Sequence, residues 1–509
     1  MKCSRSMRLS HTSISVLLSV LAALPSQGVE VNKEELLSKV KASTMNYEVF
    51  KERVRRLRTD LEKRTIVMKE EECIRKAINS NPLIVQAEYE IKSQEKALMS
   101  ARFGWMPKLT VSGTPGFGKY WDSTTEVPIQ SSVDGTQLYT NQTFSNNDYS
   151  YLSSEIGWYF LDIPRDKRIQ QRLNNLGQYK SLYNLAVRDL VRDIQLVYAS
   201  LQANILALNK YSEIIEASSK AVAALERQFN VRYVSLADVS NAKTQQLNLM
   251  ETYLALYGQI EADTARLAGL MGYKDDTLIM SRGKIRNPTQ WAMNIGDTIE
   301  AAQIRNDKYK ALILASRAQA AEGQSLITSN LPKLYLSLSG YYQGNRGYYE
   351  ADLNNPEKEY NNTSTRYFEG YAGIGFSVSI DGGMSILEGQ SMELSSQATR
   401  EEATSAQVSY VELVKKAYND LEIDRLRVEA AQSAVQEAEN VSLVMRAVSS
   451  LGIADTIQQV QSIELYGDAV IGLTSALLSA TTAKVNLFRY TSTLPDELKD
   501  IKLYAVGLN

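Results

Sequence analysis

The chain has 509 residues, of which 44% are hydrophobic and 22% charged, a composition typical of a folded protein. Its single histidine, His11, lies in a predicted signal peptide (1–28), so the mature chain carries 53 Lys and Arg (56 minus three) against 58 Asp and Glu, and no histidine. This composition excludes Ser-His-Asp triads, Cys-His nucleophile pairs and the usual zinc sites, and its mildly acidic, mixed charge does not indicate nucleic-acid binding.

The N-terminal segment is expected to be a secretory signal. Three basic residues precede an apolar run, Ile14–Ala23, which is too short to span a bilayer and is followed by small residues. The mature chain is therefore expected to be exported. No cysteine follows the apolar run directly, so we expect no N-terminal lipid anchor, and Cys73 alone cannot form an intrachain disulfide.

Residues 29–65 form a highly charged extension that contains the basic sequence RVRRLR from Arg53. An extra amphipathic helix on the outside of the protein, or a flexible arm, explains this composition more simply than a site for a specific ligand. We therefore predict one of the first two forms for this extension.

Two long tracts without proline, residues 165–287 and 357–494, are predicted to hold long helices. Counting alternately three and four residues from Val239 gives a mostly apolar heptad seam, which we interpret as a helix-packing face and not as a binding site. The stretch from Met384 to Ser450 contains a single glycine. It is predicted to be one unbroken helix, roughly 100 Å long at ~1.5 Å per residue.

Between the helical tracts, four segments alternate apolar and polar residues with the period of two that is typical of β-strands. In LPKLYLSLSGYYQG, for example, Leu334, Leu336 and Leu338 share one face. The predicted strands cover about 108–120, 148–161, 332–343 and 366–380. Polar loops at roughly 121–147 and 343–366 separate the strands of each hairpin. Strand lengths near ~10 residues and the many aromatic residues suit a transmembrane barrel.

The order of elements occurs twice. The stretch IGWYFLDIPRDKR from Ile156 corresponds to IGFSVSIDGGMSI from Ile374, at an offset of 218 residues (374 minus 156). We therefore predict an internal duplication with a first repeat at 66–290, a second at 291–495 and a C-terminal tail at 496–509. Each repeat is predicted to contain a helix, a strand, a loop, a strand, a long helix, a sharp turn and a helix.

Four strands per chain cannot close into a barrel, and open strand edges in hydrocarbon would leave backbone groups unpaired at a cost of several kcal/mol each. Three copies would give twelve strands. This number lies between that of barrels filled by side chains, about eight, and that of aqueous porins, about sixteen, so a water-filled lumen is expected. The predicted fold class is therefore an α+β membrane protein. It combines a trimeric twelve-stranded β-barrel, with four strands from each chain, and a long α-helical barrel continuous with it.

Over roughly residues 66–495, the chain resembles the TolC-like outer membrane efflux family. The resemblance rests on the duplicated plan, on NSNPLIVQAEYEIKSQEKALMSARFGWMPKLTVSG, on IGFSVSIDGGM, and above all on the turn sequences FNVRYVSLADVSNA and LGIADTIQQV. It implies a homotrimeric outer membrane channel, surrounded by outer membrane lipids, whose helical barrel lies in the periplasm. It also implies a passive conduit of a tripartite efflux or type I secretion system, coupled through a periplasmic adaptor to an inner membrane transporter, without cofactor or enzymatic activity.

The two turn sequences match the periplasmic tips of the family, where the adaptor docks and the channel narrows. The resemblance implies docking at Val231, Arg232, Tyr233, Leu451, Gly452 and Ile453. It implies gate candidates at Asp238, Gln458 and Gln461. From the residues alone, Ser235 followed by Asp238 is a capping box, and Asp455 followed by Gln458 repeats its spacing. Ser235 and Asp455 are therefore predicted mainly to cap the returning helices, whereas Asp238 could serve in capping or gating.

Three features depart from the family pattern. Arg232 stands where the first tip usually has glycine, which changes turn flexibility and docking charge. Gln458 and Gln461 stand where characterised relatives have acids that face the lumen, so neutral rings are expected in place of a cation-binding constriction. Ala454 stands where relatives have an arginine that links neighbouring helices, so the closed state is expected to be held differently.

Two functions from other classes are the alternatives. The chain could be a structural spacer of the envelope, which is a coiled-coil rod anchored by a β-barrel without an open lumen. A conductance measurement would distinguish this spacer from an export channel, because the spacer would conduct nothing. It could also be an envelope enzyme that uses only carboxylates. The absence of histidine from the mature chain, and of any isolated pair of acids in a loop, disfavours the enzyme.

Overall fold

The structure is a computed structural model that describes residues 45–126, 141–352, 359–450, 456–494 and 496–508. In chain order its helices and strands are α1 (Tyr47–Arg64), β1 (Thr65–Met68), α2 (Glu70–Ser80), α3 (Pro82–Phe103), β2 (Lys108–Glu126), β3 (Asn141–Leu161), α4 (Ile163–Asn230), α5 (Leu236–Leu270), β4 (Leu278–Ser281), α6 (Ile295–Arg305), α7 (Asp307–Ile327), β5 (Lys333–Asp352), β6 (Glu359–Ser377), α8 (Met384–Ser450) and α9 (Thr456–Tyr490). The predicted signal peptide lies outside the described residues.

The described elements form two halves with the same order and nearly the same lengths. Each half begins with a helix of 11 residues, α2 or α6, followed by a helix of 22 or 21 residues, α3 or α7. Two strands come next, then a helix of 68 or 67 residues, α4 or α8, and a helix of 35 residues, α5 or α9. The unbroken helix predicted from Met384 to Ser450 is confirmed.

An asparagine divides the first predicted helix of each half into two. The Asn81 side chain accepts a hydrogen bond from the Leu83 amide at 2.8 Å, and the Asn306 side chain accepts one from the Tyr309 amide at 3.1 Å. Both asparagines have extended backbones, so each ends one helix and caps the next. Pro82 favours the same break in the first half, because its ring restricts the preceding residue to extended conformations.

The four long strands form one antiparallel sheet in the order β2-β3-β5-β6. The central pairing of β3 with β5 joins the hairpins of the two halves, with Ile156 opposite Leu338. Within the described chain, the outer strands β2 and β6 each have one edge without a pairing partner. A separate, parallel pair is formed by β1 and β4, with Thr65 opposite Leu278.

The long strands extend beyond the ranges predicted from alternation. β2 and β3 pair as far as Glu126 opposite Asn141, and β5 and β6 as far as Ala351 opposite Glu359. The residues predicted as polar loops therefore lie partly in strands. The reason is that strand pairing uses backbone amides and carbonyls, which do not require an apolar and polar alternation of side chains.

Contacts divide the chain into two compact units, of which the first combines α1 with residues 211–253 and 441–465. In this unit α1 buries three apolar side chains, and the Phe50 ring lies 5.4 Å from the Tyr253 ring. Arg58 Nη2 donates a hydrogen bond to the Tyr253 hydroxyl at 2.7 Å. The charged extension is predicted to be either an amphipathic helix or a flexible arm, and its described part is a packed helix.

The second unit contains both sheets and the remaining helical segments. Here α8 and α9 pack through a cluster of buried side chains, Ala417, Leu421, Ala483 and Leu487. By length and composition α9 is apolar enough to cross a membrane, but 44% of its apolar window is buried inside the chain. We therefore assign its apolar character to helix packing.

Two ion pairs, one buried and one with a partly exposed carboxylate, fix α4 within the second unit. Arg188 Nε lies 2.8 Å from Asp307 Oδ2, and the two side chains are only 11% and 5% exposed. Arg489 Nε donates to Asp189 Oδ1 at 2.6 Å, and its Nη1 donates to the Tyr410 hydroxyl at 2.8 Å. These contacts tie α4 of the first half to α7, α8 and α9 of the second.

We expect Arg188→Met to destabilise the folded chain by about 3–5 kcal/mol, because the Asp307 carboxylate would remain buried without its partner. The double variant Arg188→Met with Asp307→Leu should recover much of this loss. The measurement is the thermal midpoint of the helical circular dichroism signal. Arg56→Met is the matched control, since its exposed pair with Glu52 is worth less than about 1 kcal/mol. Equal midpoints for the two single variants would contradict the assignment.

Candidate functional sites in the helical turns and the sheet

The turn between α4 and α5 is closed by a helix C-cap. Arg232 has a left-handed backbone with φ of 64°. The Tyr233 amide donates to the Gln228 carbonyl at 2.9 Å, and the Arg232 amide donates to the Phe229 carbonyl at 2.9 Å. This pair of bonds is a Schellman motif, in which glycine is the usual residue at the left-handed position. An arginine there costs about 1–2 kcal/mol.

This turn presents two apolar side chains and a cation to solvent. Val231 and Tyr233 are 76% and 78% exposed. Arg232 between them is also exposed, and it has no ion-pair partner within the described part of the chain. The three residues predicted to dock a partner are therefore together on one accessible turn.

Ser235 and Asp238 form a capping box at the start of α5. The Asp238 carboxylate accepts hydrogen bonds from the Ser235 amide at 2.9 Å and the Ser235 hydroxyl at 2.7 Å, and the Asp238 amide donates to Ser235 Oγ at 3.2 Å. The hydrogen bonds from the hydroxyl and then the amide lower the pKa of Asp238. This contribution to stability is present at neutral pH and is lost as the pH falls through the lowered pKa.

The second turn lies outside the described residues, and with it the predicted positions Leu451, Gly452, Ile453, Ala454 and Asp455. The residue that follows it, Thr456, is 1% exposed, and its hydroxyl donates to Gln228 Oε1 at 3.1 Å. Gln228 also supplies the carbonyl that closes the first turn. The start of α9 is thus bound to the end of α4, a contact that sequence reasoning missed because the two residues are 228 positions apart.

Gln458 and Gln461 lie in the first turns of α9 and are exposed on the same side, whereas Gln459 and Ser462 are buried. Neither exposed glutamine has a hydrogen-bond partner within the described ranges. In its first turns the accessible side of α9 therefore presents neutral amides, while the carboxylate of Asp238 is engaged by its own cap. Among the described residues, no cluster of His, Cys, Asp and Glu could hold a metal ion.

One face of the long sheet is apolar and exposed. The register places Leu109, Ile156, Leu338 and Ala372 in one row across all four strands, and cross-strand partners share a face. Leu109 is 62% exposed. A neighbouring row contains Ile374, which is 75% exposed. Apolar rows of this kind, exposed to the surroundings, are what a lipid-facing sheet requires.

The opposite face is polar and rich in tyrosine. The Tyr341 ring lies between those of Tyr151 and Tyr367, at centroid distances of 6.3 Å and 6.4 Å. Glu369 stands opposite Tyr341, and Glu155 stands opposite Ser339, two residues from Tyr341, so both carboxylates lie on the same face. This polar face is suited to contact with water, whereas the opposite, apolar face is not.

Comparison with protein families gives an independent result. Residues 73–273 match the model of the outer membrane efflux protein family. This range begins in α2 and ends just after α5, so it contains most of the first half, with its hairpin and its described turn. A comparison with curated proteins found no match.

Solved structures of outer membrane channels share the fold. The chain is similar to the CmeC channel of Campylobacter jejuni, with a TM-score of 0.64, 14% identity, and coverage of 85% of this chain and 88% of that one. For VceC of Vibrio cholerae the TM-score is 0.63, with 15% identity and coverage of 83% and 96%. For MtrE of Neisseria gonorrhoeae, solved in an open state, the TM-score is 0.55, with 13% identity and coverage of 84% and 89%.

These similarities cover both halves of the chain, including the part that the family model does not reach. At identities below 16% they establish the fold only. The roles of individual residues are therefore argued from the geometry of this chain. The family match and the shared fold confirm the predicted resemblance to the TolC-like outer membrane efflux proteins, and with it a location in the outer membrane.

Proposed function

We propose that three copies of this chain form an outer membrane export channel, with a twelve-stranded barrel in the membrane and a helical barrel in the periplasm. The observation that carries the proposal is the four-stranded sheet. It has an exposed apolar face, a polar opposite face and an unpaired edge on each outer strand of the described chain.

Pairing between copies resolves the open edges. The strands alternate in direction along the order β2-β3-β5-β6, so β6 of one copy can pair antiparallel with β2 of the next without interrupting the alternation. Closure removes the unsatisfied backbone groups that hydrocarbon does not tolerate. Twelve strands enclose a wider lumen than the filled barrels of about eight strands, and the tyrosine-rich face would line it.

The helical turns are the proposed sites of coupling. A periplasmic adaptor would dock on the first turn at Val231, Arg232 and Tyr233, whose exposed side chains supply both apolar area and charge. The corresponding residues of the second turn would be Leu451, Gly452 and Ile453. In this scheme an inner membrane transporter supplies the energy, and the channel conducts passively.

The narrow part of the conduit would be formed at the start of the returning helices. Gln458 and Gln461 are exposed and without described partners, so three copies would give two neutral rings. Asp238 is engaged in its capping box, which favours a capping role for this residue over a gating role. The hydrogen bond from Thr456 to Gln228 links the start of α9 to the end of α4. When the channel opens, this bond would either break or keep the two helices moving together.

The first test is conductance together with particle mass. The mature chain, purified in detergent, is expected to be a trimer and to conduct ions after insertion into a planar bilayer. A trimer that inserts but conducts nothing, even with the tip loosened by Thr456→Ala, would favour the structural spacer. A stable, fully folded monomer would contradict the barrel itself.

The second test concerns the charge of the constriction. We expect multivalent cations to leave wild-type conductance nearly unchanged, because neutral amides offer them no ligand charge. Gln458→Glu with Gln461→Glu would create two rings of three carboxylates each, and the same cations should then block the current. The matched control is Gln432→Glu, which makes the same amide-to-carboxylate change on α8 in the second unit. This variant should not be blocked by the cations. Strong block of the wild-type channel would contradict the assignment.

A further inference from the structure

A cleft of about 400 Å³ lies where α4 begins, between its first turns and the last turns of α3. Its α4 side carries Arg165, Arg168 and Arg172, which are three and four residues apart and so lie on one face of the helix. Its α3 side consists of small residues, among them Ser100 and Gly104. The cleft therefore combines free space with a row of guanidinium groups.

The charges in the cleft are not balanced. Arg168 Nη2 is 2.7 Å from Asp162 Oδ2, and the other oxygen of Asp162 is 4.0 Å from Lys333 Nζ. Arg172 is exposed and has no ion-pair partner within the described residues. One carboxylate thus faces three arginines, with a lysine beside it, and the surplus is positive.

Arg165 supplies a second, independent observation that points to an anionic ligand. Its side chain is 3% exposed, and its Nη1 donates to the carbonyls of Gly104 and Tyr159 at 2.9 Å and 2.7 Å. Its Nε and Nη2 are buried without a hydrogen-bond partner in the described chain. Leaving buried N–H groups of a cation unpaired is costly, and an acceptor in the cleft would satisfy them.

The cleft adjoins the end of the lipid-facing part of the sheet. Trp158 belongs to the apolar face, and its indole N–H donates to the carbonyl of Trp105 at 2.9 Å. The Arg165 guanidinium lies 3.6 Å from the centre of the Trp105 ring. Exposed tryptophans mark the boundary between hydrocarbon and headgroups in barrels, so in the proposed barrel the arginines would lie at headgroup depth.

We propose that this cleft binds the phosphate of an anionic glycerophospholipid from the periplasmic leaflet of the outer membrane. The inference rests on the proposed barrel, since the long helices that follow the strands put this rim on the periplasmic side. Arginine matches the planar, multidentate geometry of phosphate oxygens. The acyl chains would lie along the exposed apolar rows of the sheet, and the net positive charge disfavours a headgroup that carries a quaternary ammonium.

The test uses the whole mature chain in a neutral detergent and native mass spectrometry with added lipid. Wild-type protein is expected to retain phosphatidylglycerol in preference to phosphatidylcholine of the same acyl chains. Arg172→Gln should weaken phosphatidylglycerol retention about fivefold, since a surface arginine contributes about 1 kcal/mol to binding anionic lipid. Arg168→Gln with Arg172→Gln should weaken it further. Arg53→Gln, on α1 in the first unit, is the matched control and should behave as wild type.

Three outcomes would overturn the proposal. One is undiminished phosphatidylglycerol retention by the double variant, and another is equal retention of the two lipids by the wild type. The third is displacement of the lipid by inorganic phosphate at matching concentration, which would indicate a site for a soluble anion. Bilayer conductance of the same variants keeps the two proposals distinct, because loss of lipid with normal conductance supports this site and leaves the channel intact.

Discussion

Every backbone amide and carbonyl of a strand in hydrocarbon needs a partner, and the sheet of this chain leaves two rows of them open. β3 and β5 are paired along both edges, whereas β2 and β6 each have one free edge in the described chain. Water could satisfy a free edge, but side chains in these same strands, such as Leu109 and Phe376, are apolar and exposed. Both demands are met when further copies complete the sheet and lipid covers its apolar face.

The internal duplication makes the two halves depend on each other. The central strand pairing, β3 with β5, takes one strand from each half. The two ion pairs do the same, because Arg188 and Asp189 lie in the first half, while Asp307 and Arg489 lie in the second. Neither half can therefore pair these charges or form the four-stranded sheet alone. A change in one of these residues acts on the whole second unit.

The first turn combines an exposed cation with a carboxylate that is engaged in a helix cap. Arg232 occupies a left-handed position that favours glycine, so its charge is held at a conformational cost. Asp238 would offer the opposite charge, but its carboxylate closes the capping box. The first turns of α9 add only the neutral Gln458 and Gln461 on their exposed side. Within the turn itself, residues 231–235, the one charged side chain is that of Arg232.

Features that depend on neighbours in the chain could be predicted from the sequence. The helix from Met384 to Ser450 follows from the lack of proline and the single glycine in that stretch, and the Ser235 to Asp238 cap follows from the spacing of the two residues. The strand lengths, the pairing of β3 with β5 and the contact of Thr456 with Gln228 became visible only in the folded chain. These features join backbone and side-chain groups that are far apart in the chain, and no local sequence pattern specifies which distant groups will meet.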